Sequence, residues 1–337
     1  MVGRPLHRRI HLSRLCQEVG PPLSDVASQV WTRFFAGLAY FSLGEIPHAI
    51  NLLTLNAETL RGDLAGKRFG GVSLPAVVTN GWLSWCLAET GDFEPAFKHA
   101  LEAKLLSNKY GQPFDQVQAN LGIGGVHLIK GDFAEAIPPL ETALSVCDSA
   151  NIPILVPRVA SALGYAYAMA GRVQDALPVA ERAAREVRTL ELAALRSMCL
   201  RWVAEVFLLN NRIDDALQNA CAILDHCHAT NERGLEAWTL HLIGSAHVRK
   251  GNAPEAEAYF TDAMKLAEHL GMRPLVAQCY LSRSRVRLDR GDQTNARHDS
   301  SAAALLFLEL GMTSWRQRID CKAGRESRTD FVSERTY

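Results

Sequence analysis

Small residues punctuate this chain at a fixed interval, and apolar side chains fill the stretches between them in a helical rhythm. A turn residue followed five positions later by alanine recurs as Gly44/Ala49, Gly91/Ala96, Gly131/Ala136, Gly171/Ala176, Asn211/Ala216, Gly251/Ala256 and Gly291/Ala296. The first step is 47 residues and each of the next five is 40. Seven positions before each turn stands a second small residue: Gly37, Ser84, Gly124, Gly164, Ala204, Gly244 and Ser284. Apolar neighbours surround it, as in Leu163-Gly164-Tyr165-Ala166-Tyr167, at spacings that give a helical stripe. No window alternates with period two over several residues, so no sheet is predicted.

The physics of a helical hairpin accounts for both small positions. Two antiparallel helices joined by a tight turn approach closely only where each presents a small side chain. The turn residue ends the first helix in a left-handed conformation that glycine adopts without strain. Pro47 and Pro254, three residues after a turn, suit the start of the second helix. Prolines at 75, 113, 153 and 274 fall between hairpins, where helices break. The prediction is an all-α, right-handed solenoid of hairpins with a period of about 40.

These spacings resemble those of tetratricopeptide repeats, in which a small residue is followed by alanine twelve positions on. A third small position, nineteen after the first, is filled by Ala103, Ala143, Ala183, Ala263 and Ala303. The period is longer than the usual ~34. Six extra residues at about 1.5 Å rise each lengthen the two helices. Four stretches, Arg68–Gly70, Trp82–Glu89, Ala162–Tyr167 and Glu268–Ala277, look like a narrower group. They are similar to the C-terminal repeat region of large bacterial proteins that join an adenylate/guanylate cyclase domain, an ATPase domain and such repeats. The likeness spans roughly residues 22–318 and implies a regulatory arm.

Counting back 41 residues from Gly44 reaches Gly3, so residues 5–19 read as the second helix of a halved hairpin. The expected division is therefore a partial hairpin at 1–21, seven hairpins at 22–320 and a polar tail at 321–337. A solenoid without its capping repeat is expected to be a piece of a longer protein.

Composition narrows the functional classes. Thirty-six basic residues balance thirty-six acidic ones. That neutrality gives no long-range field for nucleic acid or an anionic membrane. No run approaches the ~20 apolar residues of a membrane span, and no apolar stretch follows Arg8-Arg9 to make a signal peptide. A cytoplasmic, reducing setting is expected, with the eight cysteines as thiols.

Candidate chemistry is sparse. Gly62-Asp63-Leu64-Ala65-Gly66-Lys67-Arg68 has one residue too few between its glycines for a phosphate loop, and Arg68 stands where a hydroxyl must hold magnesium. Asp225-His226-Cys227-His228, with Cys221 behind it, offers metal-ligand types, but neighbours on a helix diverge by about 100°. Cys227 also shares its repeat position with Cys147, Val187 and Ala267, which marks an interior apolar slot. His127 and His247 occupy a slot that elsewhere holds Tyr40, Leu87, Tyr167, Phe207 and Arg287, so a packing role is expected. No nucleophile elbow, His-Glu-x-x-His or paired-carboxylate pattern appears. The expectation is a chain without catalytic residues, cofactor or metal.

The tetratricopeptide resemblance implies that first helices line a concave groove. It further implies that residues six and three before the small position, and one after it, point inward. Those rules name Trp31, Phe34, Trp85, Arg158, Tyr165, Arg201, Glu205, Trp238, His241 and Arg285. Aromatic and arginine side chains on one face suit a bound protein or peptide segment. Trp31, Trp85 and Trp238 equally suit packing between repeats, whereas Arg158 and Arg201 do not belong in an apolar core. The expected function is protein–protein interaction or ligand sensing. Two alternatives remain: a member of a cyclase/ATPase signalling enzyme, and the sensor arm of a maltose-regulator-type activator. The second requires a C-terminal helix-turn-helix, for which residues 316–337 are too short.

Overall fold

A computed structural model describes residues 25–187 and 193–317. The halved hairpin expected at 1–21 and the tail expected at 321–337 lie outside the described residues. Among the described residues, fourteen helices of fourteen or more residues follow in antiparallel succession. The first hairpin is α1 (Val26–Ser42) and α2 (Ile46–Thr59); the second is α3 (Pro75–Thr90) and α4 (Phe93–Tyr110). The third pairs α5 (Pro113–Lys130) with α6 (Phe133–Ser149), and the fourth pairs α7 (Val156–Met169) with α8 (Val173–Glu186). Then come α9 (Ala193–Leu209) with α10 (Ile213–Thr230), α11 (Arg233–Lys250) with α12 (Ala253–Leu270), and α13 (Arg273–Asp289) with α14 (Gln293–Glu309). The fold is an α-solenoid with no strand among the described residues, and no described helix is long and apolar enough to cross a membrane.

The hairpins close where the small residues predict. A side chain sixteen positions later fills the space opposite the small residue. An added Cβ at Gly37 would lie 3.0 Å from Leu53, one at Gly124 2.6 Å from Leu140, and one at Gly244 2.8 Å from Phe260. The alanines twelve positions after the small residue are all but fully buried from Ala49 through Ala296. So are the third-position alanines Ala103, Ala143, Ala183, Ala263 and Ala303.

Both kinds of turn are built alike, and this explains the period. Within a hairpin, the amide after the turn residue donates to the carbonyl five positions earlier, as Asp132 N to His127 O at 2.9 Å. Between hairpins the same bond appears, as Glu232 N to Cys227 O at 3.1 Å. Positive φ therefore recurs every twenty residues, at Gly131, Asn151 and Gly171 and again at Asn211, Asn231, Gly251, Gly271, Gly291 and Gly311. Forty residues are two equal halves, each one helix and one two-residue turn. Four residues before turns, His127 packs tilted against Phe97 and His247 stacks on Tyr259, at 4.7 and 5.3 Å between ring centroids.

The 47-residue first step is the connection 60–74, where the phosphate-loop-like segment lies. Gly62–Leu64 form one 3-10 turn, and Asp115 pins the stretch between that turn and α3. Its fully buried carboxylate accepts from Leu74 N at 2.6 Å, Gln112 N at 2.9 Å, Ser73 Oγ at 3.1 Å and the Arg68 guanidinium at 2.5 Å.

The described solenoid winds until its last hairpins meet its first ones. Helix α11 touches α1, and α13 touches α3, so about five hairpins make one superhelical turn. The hairpin turns carry this closure. A Cβ at Gly44 would lie 2.8 Å from Leu270, one at Gly91 2.5 Å from Leu310, and one at Gly131 would overlap the indole of Trp315.

Candidate functional site on the inner face of the superhelix

First helices form the inner face because their side chains meet across the superhelix. Trp85 of α3 packs on Trp202 of α9 at 5.5 Å between centroids. Glu89, one turn further along α3, accepts the indole N–H of Trp85 at 3.2 Å and that of Trp238, on α11, at 3.0 Å. Each carboxylate oxygen takes one indole, so this single acid links the second hairpin to the sixth. Burial pushes the Glu89 carboxyl above its ordinary range, partly offset by the Trp238 hydrogen bond and by Arg201.

Arg201 lies over the faces of Trp202 and Trp238, 5.4 and 5.0 Å from their centroids, and 3.8 Å from Glu205. Burial raises the Glu205 carboxyl, with Arg201 opposing it. His241 contacts Ser282 Oγ at 3.0 Å and the Phe260 ring at 5.3 Å. Burial first, and the Arg201 charge second, hold its imidazole down at about 4. Trp85, Arg201, Glu205, Trp238 and His241 are thus brought together around Glu89, as one polar cluster inside an aromatic cage.

The remaining inward residues distribute elsewhere. Trp31 donates to Phe69 O at 3.3 Å and lies against Gly71, so it holds the 60–74 connection. Phe34 is buried edge-on to Trp31. Tyr165 is buried edge-on to Phe133 at 6.0 Å. Arg285, on α13, is half-buried.

Arg158 stands apart from the Glu89 cluster. It lines a narrow cleft with Val78, Gly81, Trp82, Trp85, Gln118 and Leu121, side chains of three successive first helices. Apart from Trp82, and Gly122 which also lines it, these residues occupy the inward repeat positions. The space in the cleft that a water-sized molecule can reach is about 10 Å³, enough for roughly one water and far below the ~300 Å³ at which small-molecule pockets begin. Arg158 is 6% exposed, stacks over Trp82 at 4.9 Å and has one long contact, 3.4 Å to Gln118 Oε1. Gln118 is the same slot one repeat earlier.

The candidate metal stretch does not converge. Cys227 is buried and Cys221 exposed, while His226 and His228 lie 3.3 and 3.4 Å from Glu232 and Glu236 respectively. Sequence reasoning missed Glu89, Trp82, Trp202 and Asp115. The signal for Glu89 was one acid closing the otherwise apolar run Trp82–Ala88. For Trp202 there was none, because it falls outside the inward positions.

The fold and this inner face define a tetratricopeptide-like repeat protein. No family model matches the chain, and no curated protein matches it. Solved structures do. A Rap protein in complex with Competence and Sporulation Factor superimposes with a TM-score of 0.63 at 15% identity, covering 85% of this chain and 78% of that one. NprR in complex with its cognate peptide NprX gives 0.57 at 14% identity, over 93% and 90%. The apo quorum sensor NprR from B. thuringiensis gives 0.50 at 15% identity, over 84% and 77%. At these identities the likeness is one of fold.

Proposed function

We propose that this chain is a non-catalytic module that binds a peptide or a segment of a partner protein on the inner face of its superhelix. The observation that carries this reading is the chemistry of that face. Packing alone asks for aliphatic side chains, yet the first helices contribute Trp82, Trp85, Trp202, Trp238, Arg158, Arg201, Glu89 and Glu205 there. Large aromatics beside arginine are what peptide-binding hot spots use. Two similar structures were solved with a cognate peptide or with Competence and Sporulation Factor bound, which supports the same use of the fold here.

The module works in the cytoplasm in this reading, where its buried thiols stay reduced. The four stretches similar to the repeat arms of cyclase–ATPase proteins favour a regulatory role, in which occupation of the inner face is signalled to a catalytic partner. Cofactor, metal, nucleic acid and membrane have no part in it.

Panning the full chain against a random dodecapeptide library displayed on phage tests the reading. Bound peptides should protect amides of α3, α7, α9 and α11 from hydrogen exchange. Arg201→Ala should weaken them about tenfold, the cost typical of a hot-spot residue. Binders that protect only the second helices would sink the proposal. So would a stoichiometric ATP signal in calorimetry, which would restore the enzyme reading.

A further inference from the structure

Among the described residues, the two buried arginines other than Arg158 have carboxylates. Arg283 binds Asp299 through Nε and Nη2 at 2.7 and 2.9 Å, and Arg201 has Glu205. Arg158 is the exception: no described carboxylate lies within ion-pair distance of it, its Nε is buried with no acceptor, and burial brings its guanidinium down to about 10. An uncompensated buried charge is among the costlier features a fold can carry. Here the charge is not sealed in the wall between hairpins. It borders a solvent-reaching cleft on the inner face.

We propose that the Arg158 cleft is a subsite for the carboxylate of a bound peptide, resting on the reading that the inner face binds peptides. The guanidinium supplies the missing counter-charge, in the planar forked geometry that suits a carboxylate. Gln118 adds a neutral polar partner beside it. Trp82, Trp85, Val78 and Leu121 flank the acid group with apolar surface. Gly81 contributes no side chain and leaves the cleft open. One cation among apolar walls matches a singly charged carboxylate; a phosphate, with nearly two charges, calls for further cations that the cleft does not provide. The space admits little more than one acid oxygen, so the rest of the residue, whether an acidic side chain or a chain terminus, stays on the open inner face.

The test uses the full chain with tryptophan indoles labelled for NMR. Hexapeptide pools, random except at one position, are titrated in pairs. One pair fixes Glu or Gln with both ends capped; the other carries a free or an amidated carboxyl terminus. The expected result is that one carboxylate pool shifts the indoles at half-saturation at least tenfold lower than its neutral counterpart. Whichever pair shows the gap identifies side chain or terminus. Arg158→Met should abolish the gap, and Arg158→Lys should restore part of it. Because the unpaired charge is removed, Arg158→Met should unfold at or above the wild-type temperature, so loss of binding is not loss of fold. Equal binding of acidic and neutral pools overturns the subsite while leaving the inner-face reading intact. A gap that survives Arg158→Met does the same. Pools that shift no indole overturn both.

Discussion

Arg283 and Arg158 are buried to the same degree, 7% and 6% exposed, in opposite surroundings. Arg283 sits in the wall of the solenoid, between the two helices of the last hairpin. Asp299, fully buried on α14, grips it with two hydrogen bonds and also accepts from Arg287 Nη1 at 3.0 Å. Arg287 and Arg290 continue the network to Glu257 at 2.7 and 2.6 Å. The Asp299 hydrogen bonds, first among the causes, hold the Arg283 guanidinium above its ordinary range, whereas burial lowers that of Arg158. The wall satisfies its charges locally, with partners on the same hairpin or on the adjoining one. The inner face either satisfies them across the superhelix, as at Glu89, or leaves them unmet, as at Arg158.

The sharpest way to break that contrast is Asp299→Ala. It leaves a buried guanidinium without its acid, and the expected loss is about 3–5 kcal/mol in urea unfolding. A loss under about 1 kcal/mol would mean that the wall network is no more than surface pairing.

His241 probes the inner face by pH. Its folded imidazole titrates near 4, below an ordinary ~6.5, so the unfolded chain binds the extra proton between those values. Stability contributed by neutral His241 is complete above about pH 7 and is lost as pH falls toward 4. Comparing wild type with His241→Gln from pH 7 to 4 isolates that term from the raised carboxyls of Glu89 and Glu205, which slope the other way. Wild type should lose on the order of 2 kcal/mol relative to the variant, since the ring keeps part of its solvent. Equal slopes would place His241 outside the buried cluster.

Two glycines measure the closure of the superhelix itself. Gly131 and Gly171 end first helices with φ of +91 and +85, so alanine strains both alike, by about 1 kcal/mol. Only at Gly131 would the new methyl collide with Trp315; at Gly171 nothing lies within 4 Å. Gly131→Ala should therefore cost about 1–2 kcal/mol more than Gly171→Ala in thermal unfolding. The same cost at both would show that contact between successive turns of the superhelix adds nothing to stability.

Much of the wall is legible in the sequence. The forty-residue beat, the small-residue crossings and the buried alanines are local pairings within hairpins, and each leaves a mark at a fixed offset. Half of the beat is harder to see, because Asn151, Asn231, Gly271 and Gly311 repeat the turn signal between hairpins, where proline is the more conspicuous mark. The inner face is legible as a set of inward positions and not as a site. Inward rules place Trp85 and Trp238 on one surface, but Trp238 reaches Glu89, 149 residues away in the chain, only after the superhelix has closed.

What the sequence determined by itself is therefore whatever depends on periodicity: the helices, their turns, the length of the repeat and the side of each helix that faces in. Those depend on backbone geometry and side-chain size within some twenty residues. Only the tertiary structure decided which charges find partners. That depends on how far each hairpin rotates on the last, summed over five of them, until α11 reaches α1 and α13 reaches α3. The summed rotation gives Glu89 its second indole and leaves Arg158 at the edge of an open cleft with no acid beside it.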